Sequence, residues 1–256
     1  MPVTLFAGAG TALNVGAVVV GSIAGMVIGE RLPTRTRSVV TVSLGLTTLL
    51  MAGSSATSVA SPHLVAAVGS AAPVLIVLGS LLIGGITGSL LRIEERLEGL
   101  AGTVQGWTQR GRGGTNAEGR ERFIEGWLTA SLLFCIGPLA VLGSFDDGMG
   151  RGIDKLALKS ALDGFAALAF ASSFGIGVLF SAIPVVVVQG LLTLVGVWLG
   201  AVLPLAHVDA LTATGGLLLV GISFRLLDIK QVPVGDLLPA LIAAPLITQA
   251  VVALSG

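Results

Sequence analysis

Charged residues are scarce in this sequence: Asp, Glu, Lys and Arg together make up 11% of the 256 residues. A soluble domain averages about 25%, so the composition argues against a soluble globular protein. The formal net charge is zero, which gives no reason to expect a nucleic-acid partner. The single cysteine, Cys135, excludes an internal disulfide framework and any multi-cysteine metal site.

Catalytic motifs are missing as well. The sequence contains no HExxH, GxSxG, Walker or CxxC pattern, and His63 and His207 are not spaced like a pair of metal ligands. No nucleophile–base constellation emerges from the sequence. We therefore expect a protein that is not an enzyme and that uses no cofactor.

Apolar residues dominate what is present: 54% of the chain is hydrophobic, and its mean hydropathy is +0.97. A helix needs about 20 apolar residues to cross about 30 Å of hydrocarbon. The fifth and sixth of the qualifying segments form one run, which we divide at Ser181–Pro184. The sequence thus predicts an all-α, polytopic transmembrane helical bundle of seven or eight spans, in one transmembrane domain over 1–256. The eight segments are 5–28, 39–60, 70–91, 123–143, 160–181, 183–204, 210–227 and 234–254.

Basic residues are unevenly divided between the two sets of loops. With eight spans, the loops 29–38, 92–122 and 225–235 share one side, and cytoplasmic loops carry an excess of Lys and Arg. We therefore expect a cytoplasmic-membrane protein with both termini outside and the long basic loop 92–122 in the cytoplasm. That side holds Arg31, Arg35, Arg37, Arg92, Arg96, Arg110, Arg112, Arg120, Arg122, Arg225 and Lys230, and the other holds Arg151, Lys155 and Lys159.

The loop 92–122 has two parts. Apolar residues from Ile93 to Trp107 recur at helical spacing, which predicts an amphipathic helix. The following stretch, GRGGTNAEGRER, is typical of a flexible linker. The loop is either a solvated connector or an arm that binds a partner.

Three short glycine-containing segments resemble one another, at 20–25, 83–88 and 195–200. The first and the last lie in spans that run in opposite directions. This pattern would fit an inverted repeat of three-helix units, although GxxxG also arises by chance in glycine-rich membrane helices.

Several polar residues lie inside predicted spans. Asn14 shares a helical face with Gly21 and Gly25, so it either closes a tight helix or homodimer contact or touches a solute. Lys159 and Asp163 are four residues apart on one face, with Asp163 about 6 Å deeper. They form either a charged entrance or a cap at the interface. Gln189 needs partners inside the protein or a cavity.

The fourth span contains Gly137-Pro138, which predicts a kink or a break. Broken helices in transporters often mark the binding site. Ser131 and Cys135 precede this break and join the candidates.

Three carboxylates, Asp146, Asp147 and Asp154, lie in one predicted outer loop. They are weak candidates for binding a hard cation. The alternative is an ordinary Asp-Gly turn.

The stretches FIEGWLTASLLFCIGPLAVLGSFDDG (123–148), KSALDGFAALAFASSFGIGVLFSAIP (159–184) and TGGLLLVGI (214–222) together form a specific pattern. With them, nearly the whole chain resembles the YqgA/YdfK-like family of bacterial membrane proteins, known as domain of unknown function 554. The resemblance implies a multi-spanning protein of a bacterial membrane, and it provides no substrate and no catalytic residues. Arg225 and Asp236 stand where related sequences typically carry Asn, so a role of those Asn residues is in doubt here.

These observations predict a transporter or channel for a small solute or ion, with a weak preference for cations. Its partners would be the lipid bilayer and the solute, with a homo-oligomer through the glycine-rich faces as an option. The alternative is a non-transporting oligomeric scaffold or sensor with a cytoplasmic partner-binding arm. The expected pathway residues are Asn14, Ser131, Cys135, Gly137, Pro138, Lys159, Asp163 and Gln189.

Overall fold

The structure, a computed structural model, describes residues 6–29, 33–108, 117–135, 138–199 and 204–255. All regular elements within these ranges are helical, which confirms the all-α prediction. The helices are α1 (Ala9–Gly29), α2 (Thr34–Ala56), α3 (Pro62–Val68), α4 (Ala72–Leu91), α5 (Ile93–Thr108), α6 (Ala117–Cys135), α7 (Pro138–Gly148), α8 (Asp154–Phe174), α9 (Ile176–Phe180), α10 (Ala182–Leu199), α11 (Leu205–Leu226), α12 (Val234–Leu237) and α13 (Ala240–Ser255). A 3₁₀ segment, Thr57–Ala60, lies between α2 and α3.

Within the described ranges, six helical segments are long and apolar enough to cross a membrane. The bent pair α6 and α7 makes a seventh if it counts as one span. Helix α8 has 21 residues and is not among these, since it carries Lys155, Lys159, Asp154 and Asp163. The predicted count of seven or eight spans is consistent with this arrangement.

Large apolar side chains are exposed along the span-length helices. Leu90 is 79% exposed, Trp198 is 87% exposed and Leu254 is 88% exposed. Apolar surface on this scale, on helices of span length, is typical of contact with lipid. Trp198 stands near the end of α10, where aromatic residues anchor spans at the membrane interface. The chain is therefore a membrane protein.

The break between the fifth and sixth predicted spans is at Gly175, not at Ser181–Pro184. Gly175 has φ 71° and ψ −141°, a conformation that residues with a Cβ rarely adopt. Ser181 instead continues from α9 into α10, and Pro184 lies in the first turn of α10, where its missing N–H costs nothing. The division at Ser181–Pro184 was wrong because the positive-φ glycine, not the proline, ends the helix.

The loop 92–122 is mostly helical. Helix α5 confirms the predicted helix from Ile93, and Ala117 to Arg122, expected in the flexible linker, form the first turns of α6. The linker residues 111–116 lie outside the described residues, as does Gly137.

The chain divides into two compact units, each made of two sequence segments. The first unit comprises Met1–Leu44 and Glu98–Val202, and the second unit comprises Gly45–Leu97 and Leu203–Gly256. The assignment of one transmembrane domain over 1–256 stays a prediction.

In the first unit, α1 packs against α8 with both helices running in the same direction. Gly21 faces Gly164, Gly25 faces Leu168, and Gly29 faces Ser172. A Cβ at Gly25 would come within 2.9 Å of the Ala171 Cβ, closer than real Cβ contacts, so these positions need glycine. Backbone contact of this kind is how small residues hold membrane helices together.

In the second unit, α11 is the most buried of the six candidate spans, with 72% of its most apolar window buried. It packs against α3, α4 and α13. The apolar core between them is made of Leu64, Val68, Ile76, Ala206, Ala210 and Ala244.

The glycine-containing segments 83–88 and 195–200 also lie at close contacts. Gly84 and Gly88 of α4 face Ala240 and Asp236, and Gly196 of α10 faces Phe145. The similar segments thus have similar packing roles, while the inverted repeat itself stays a prediction.

Candidate functional site

The site begins with a buried ion pair in the middle of α8. Lys159 Nζ bonds to Asp163 Oδ2, and their side chains are 6% and 11% exposed. Asp163 is the tenth of the 21 residues of α8, so it lies about 14 Å from the first residue of the helix. The pair therefore lies within α8 and not at either end of the helix, and its role as a charged entrance stays a prediction.

Asn14 connects this pair to α1. Its Nδ2 donates to Asp163 Oδ2 over 3.0 Å, and the residue is fully buried. The close α1–α8 packing permits this bond. Because the carboxylate can only accept, the amide nitrogen of Asn14 is the atom that bonds to Asp163, and Asn14 Oδ1 has no hydrogen-bond partner among the described residues.

Helix α10 adds a third polar element. Thr193 Oγ1 lies 3.2 Å from Thr11 Oγ1, which places α10 beside the start of α1. Gln189 is one turn before Thr193 on the same buried face and is fully buried. The structure thus brings Asn14, Lys159 and Asp163 into direct contact and places Gln189 one turn from the Thr11–Thr193 contact.

The break in the predicted fourth span lies next to the ion pair. Helices α6 and α7 are bent by 61° relative to each other, in agreement with the predicted kink, and Pro138 begins α7. Cys135, the last residue of α6, is partly buried, and its thiol is close enough to Lys159 and Asp163 to interact electrostatically with both. Ser131 is buried one turn earlier, and its Oγ donates to the Trp127 carbonyl over 2.5 Å.

The three outer carboxylates have separate surroundings. Asp147 is buried and accepts from the backbone N–H groups of Gly8, Gly10 and Thr11, so it caps the start of α1. Asp146 pairs with Lys155, and Asp154 is exposed at the start of α8. Among the described residues, no group of three or more His, Cys, Asp and Glu side chains is arranged to hold a metal ion.

Comparison with known proteins places the chain in a family. The family model described as "Protein of unknown function (DUF554)" matches residues 9–249. The chain belongs to this family. It is similar to "Uncharacterized protein YqgA" of Escherichia coli (strain K12), with 31% identity over 92% of this chain and 94% of that protein. It is also similar to "Uncharacterized membrane protein YdfK" of Bacillus subtilis (strain 168), with 26% identity over 93% of this chain and 94% of that protein.

No solved structure matches this chain. The DUF554 match spans the polar cluster of the first unit, which consists of Thr11, Asn14, Lys159, Asp163, Gln189 and Thr193. The resemblance seen in the sequence is therefore confirmed over nearly the whole chain.

The sequence of this DUF554 protein did not lead us to Thr11, to Thr193 or to the cap that Asp147 forms. Thr11 precedes Asn14 by three residues, and Thr193 follows Gln189 by four, so each shares a helical face with a predicted site residue. That spacing was the available signal. The cap formed by Asp147 had no such signal, because its partners Gly10 and Thr11 are 137 and 136 residues away.

The second unit contains a separate polar junction. Arg225 Nη1 bonds to Glu94 Oε1 over 2.5 Å, with side chains 14% and 15% exposed. Glu94 Oε2 also accepts from the Gly235 N–H, and Asp236 Oδ1 accepts from the Glu94 N–H over 2.9 Å. Arg225 therefore pairs inside the protein, although it lies near the end of α11, where a long basic side chain could extend to the lipid headgroups.

Both histidines have partners in the second unit. His63 Nδ1 lies 3.5 Å from Asp209 Oδ2, and Ser61 Oγ donates to the same carboxylate. Ser61 Oγ also lies 3.4 Å from the same Nδ1 of His63. In a catalytic triad the serine and the aspartate bond to different ring nitrogens of the histidine, so this arrangement is not such a triad. His207 Nε2 lies 2.9 Å from Gln249 Oε1.

Proposed function

We propose that this protein is an integral membrane transporter or channel for a small solute or ion, and not an enzyme. The observation that carries the proposal is the Lys159–Asp163 pair, buried in the middle of α8 and bonded to Asn14. A charged side chain at the centre of a membrane costs about 2.5–3.5 kcal/mol on insertion scales. Such residues in membrane helices usually line pathways for solutes, ions or protons.

Stability alone does not account for this pair. Replacing a buried ion pair by apolar side chains is often neutral or stabilises the protein by about 1–4 kcal/mol. An apolar Lys159/Asp163 replacement would therefore fold at least as well, so the pair has a better explanation in function.

The broken α6–α7 span supports the same proposal. A break leaves backbone groups without their helical partners, and such groups coordinate solutes in many transporters. Cys135 at the end of α6 lies within electrostatic reach of the ion pair. We therefore place the pathway in the first unit, beside Asn14, Cys135, Asp163 and Gln189.

We further propose a bacterial cytoplasmic membrane, with loop 92–122 in the cytoplasm, because the basic residues concentrate on that side. The relatives named above come from bacteria. Gly21 and Gly25 pack against α8, so a homo-oligomer would use other faces.

The test is flux through proteoliposomes across a panel of ions and small solutes. Asp163→Asn should strongly lower the flux of the active solute, because it removes the charged side chain that is proposed to line the pathway. Asp154→Asn is the matched control, because Asp154 is exposed in the same helix. Equal flux in wild type and Asp163→Asn would remove Asp163 from the mechanism.

A double variant separates function from folding. Lys159→Met with Asp163→Leu should keep or raise the melting temperature while flux is lost. Wild-type protein that passes no solute in the panel would favour the scaffold or sensor over the transporter.

A further inference from the structure

Two fully buried amides in the first unit have polar atoms without partners. Neither Oε1 nor Nε2 of Gln189 has a hydrogen-bond partner among the described residues, and the same holds for Asn14 Oδ1. A buried polar group without a partner costs about 1–3 kcal/mol. Apolar side chains at both positions would avoid this cost, so the two amides point to a bound ligand.

The two amides lie at the same level of the unit. Thr11 on α1 contacts Thr193 on α10. The end of α1 lies near the end of α8, since Gly29 faces Ser172, and the start of α1 contacts Thr193. Helix α10 therefore runs antiparallel to α1. Asn14 is nearly one turn after Thr11, and Gln189 is one turn before Thr193, so both amides are displaced from the threonine contact in the same direction.

The buried charges of the first unit favour a positively charged ligand. Among the described residues of this unit, the buried charged side chains are Asp147, Asp163 and Lys159, which sum to one negative charge. Asp147 accepts three backbone N–H groups at the start of α1, but hydrogen bonds from neutral groups do not cancel its charge. The ammonium of Lys159 already bonds to Asp163, which shows that the carboxylate binds a cation.

The available ligand atoms narrow the class of cation. Asn14 Oδ1, Gln189 Oε1 and the carboxylate of Asp163 are all oxygens, which hard cations prefer. A single carboxylate is too little charge for a tight divalent site, whereas it suits a monovalent ion. None of these three ligand groups is a thiolate or an imidazole, which disfavours a softer metal.

We propose that Asp163, Asn14 and Gln189 bind a hard monovalent cation, sodium being the first to test, in competition with the Lys159 ammonium. When the ion binds Asp163, the ammonium leaves the carboxylate. This cation site adds a ligand to the proposed transport function, and its role depends on that function. Binding of the ion can nevertheless be measured without measuring flux.

The experiment is thermal unfolding of the purified full-length protein in detergent. NaCl replaces choline chloride at constant ionic strength, with KCl as a parallel series. The wild-type melting temperature should rise with sodium and then saturate, because a ligand that binds only the folded state stabilises it by mass action. No saturable rise with either sodium or potassium would overturn the proposal.

For Gln189→Leu, the difference in melting temperature from wild type should change sign when sodium is added. Without sodium, this variant should melt at or above the wild-type temperature, because it removes an unpartnered buried amide. With saturating sodium it should melt below wild type. Gln249→Leu is the matched control, since it makes the same change at the His207 contact in the second unit, and its sodium response should equal that of wild type. An unchanged sodium response in Gln189→Leu would also overturn the proposal.

Lys159→Met tests the competition. The variant should melt below wild type without sodium, because Asp163 loses its partner, and its rise with sodium should be larger. A smaller rise would contradict competition.

Flux without any cation-dependent stabilisation would leave the transport proposal intact and remove this site. A saturable sodium response without flux of any solute would keep the site and remove the transport proposal.

Discussion

Glu94 and Asp236 each cap the helix in which the other residue lies. Asp236 Oδ1 accepts from the Glu94 N–H in the first turn of α5, and Glu94 Oε2 accepts from the Gly235 N–H in the first turn of α12. Carboxylates at helix N-termini satisfy free N–H groups and complement the helix dipole. Since Glu94 also pairs with Arg225 at the end of α11, one side chain connects three helices of the second unit.

Glu94→Ala should therefore destabilise the protein by about 3 kcal/mol, because it leaves Arg225 unpaired at a site with little solvent. For a chain of this size that corresponds to a fall of about 6–12 °C in melting temperature. Thermal unfolding in detergent measures the fall. Glu95→Ala is the control, since the Glu95 side chain is 70% exposed and pairs with the exposed Arg92. Equal falls in both variants would mean that the junction contributes no more than a surface contact.

Gly25→Ala should destabilise the protein by about 1–3 kcal/mol, because the added Cβ would press on the Leu168 carbonyl and the Ala171 Cβ. Gly16→Ala lies in the same helix and meets nothing within 4 Å. That control should melt at the same or a higher temperature, since Ala is the better helix former. If both changes have the same effect, the parallel packing of α1 on α8 is wrong.

Asp147→Ala should lower the stability by about 1–2 kcal/mol, because three N–H groups at the start of α1 lose their acceptor. Asp147→Asn keeps one carbonyl oxygen and should lose less. The neighbouring Asp146→Ala removes only the partly exposed pair with Lys155 and should change little. Melting temperatures of the three variants rank these effects, and a larger loss for Asp146→Ala would contradict the cap.

Cys135 is the only thiol in the chain, so it reports on the α6–α7 break without engineered cysteines. A small thiol reagent should modify it slowly, because the thiol is largely buried. Flux in proteoliposomes should fall as the modification proceeds, since the thiol interacts with Lys159 and Asp163. Cys135→Ser should transport and should resist the reagent. Complete modification, measured by mass spectrometry, with undiminished flux would place the break outside the pathway.

The helices themselves were largely predictable from the sequence. Apolar segments of span length and the basic residues between them locate α1, α4, α11 and α13 within a few residues. The Gly175 break was not predictable by the same reasoning. Proline and serine at 181–184 are the more familiar break signals, while a glycine becomes a break only through a positive φ that tertiary packing imposes.

Only part of the candidate site could be predicted from the sequence. Lys159 and Asp163 share a helical face, so their pairing follows from spacing alone. The bond from Asn14 to Asp163 joins residues 149 positions apart, and a single sequence contains no signal for which helices become neighbours. The threonine contact escaped notice because hydroxyl residues commonly bond to their own helix, as Ser160 does with the Leu156 carbonyl.

The order of synthesis makes the α1–α8 contact a late event in assembly. Helix α1 ends at Gly29 and α8 begins at Asp154, and a ribosome adding about 5–20 residues per second needs roughly 6–25 s to cover the distance between them. During that interval the glycine face of α1 and Asn14 are in the membrane or its insertion machinery before α8, their packing partner, has been synthesised. Substitutions that speed or delay the appearance of α8 should therefore change the yield of inserted protein even where they leave its final stability unaltered.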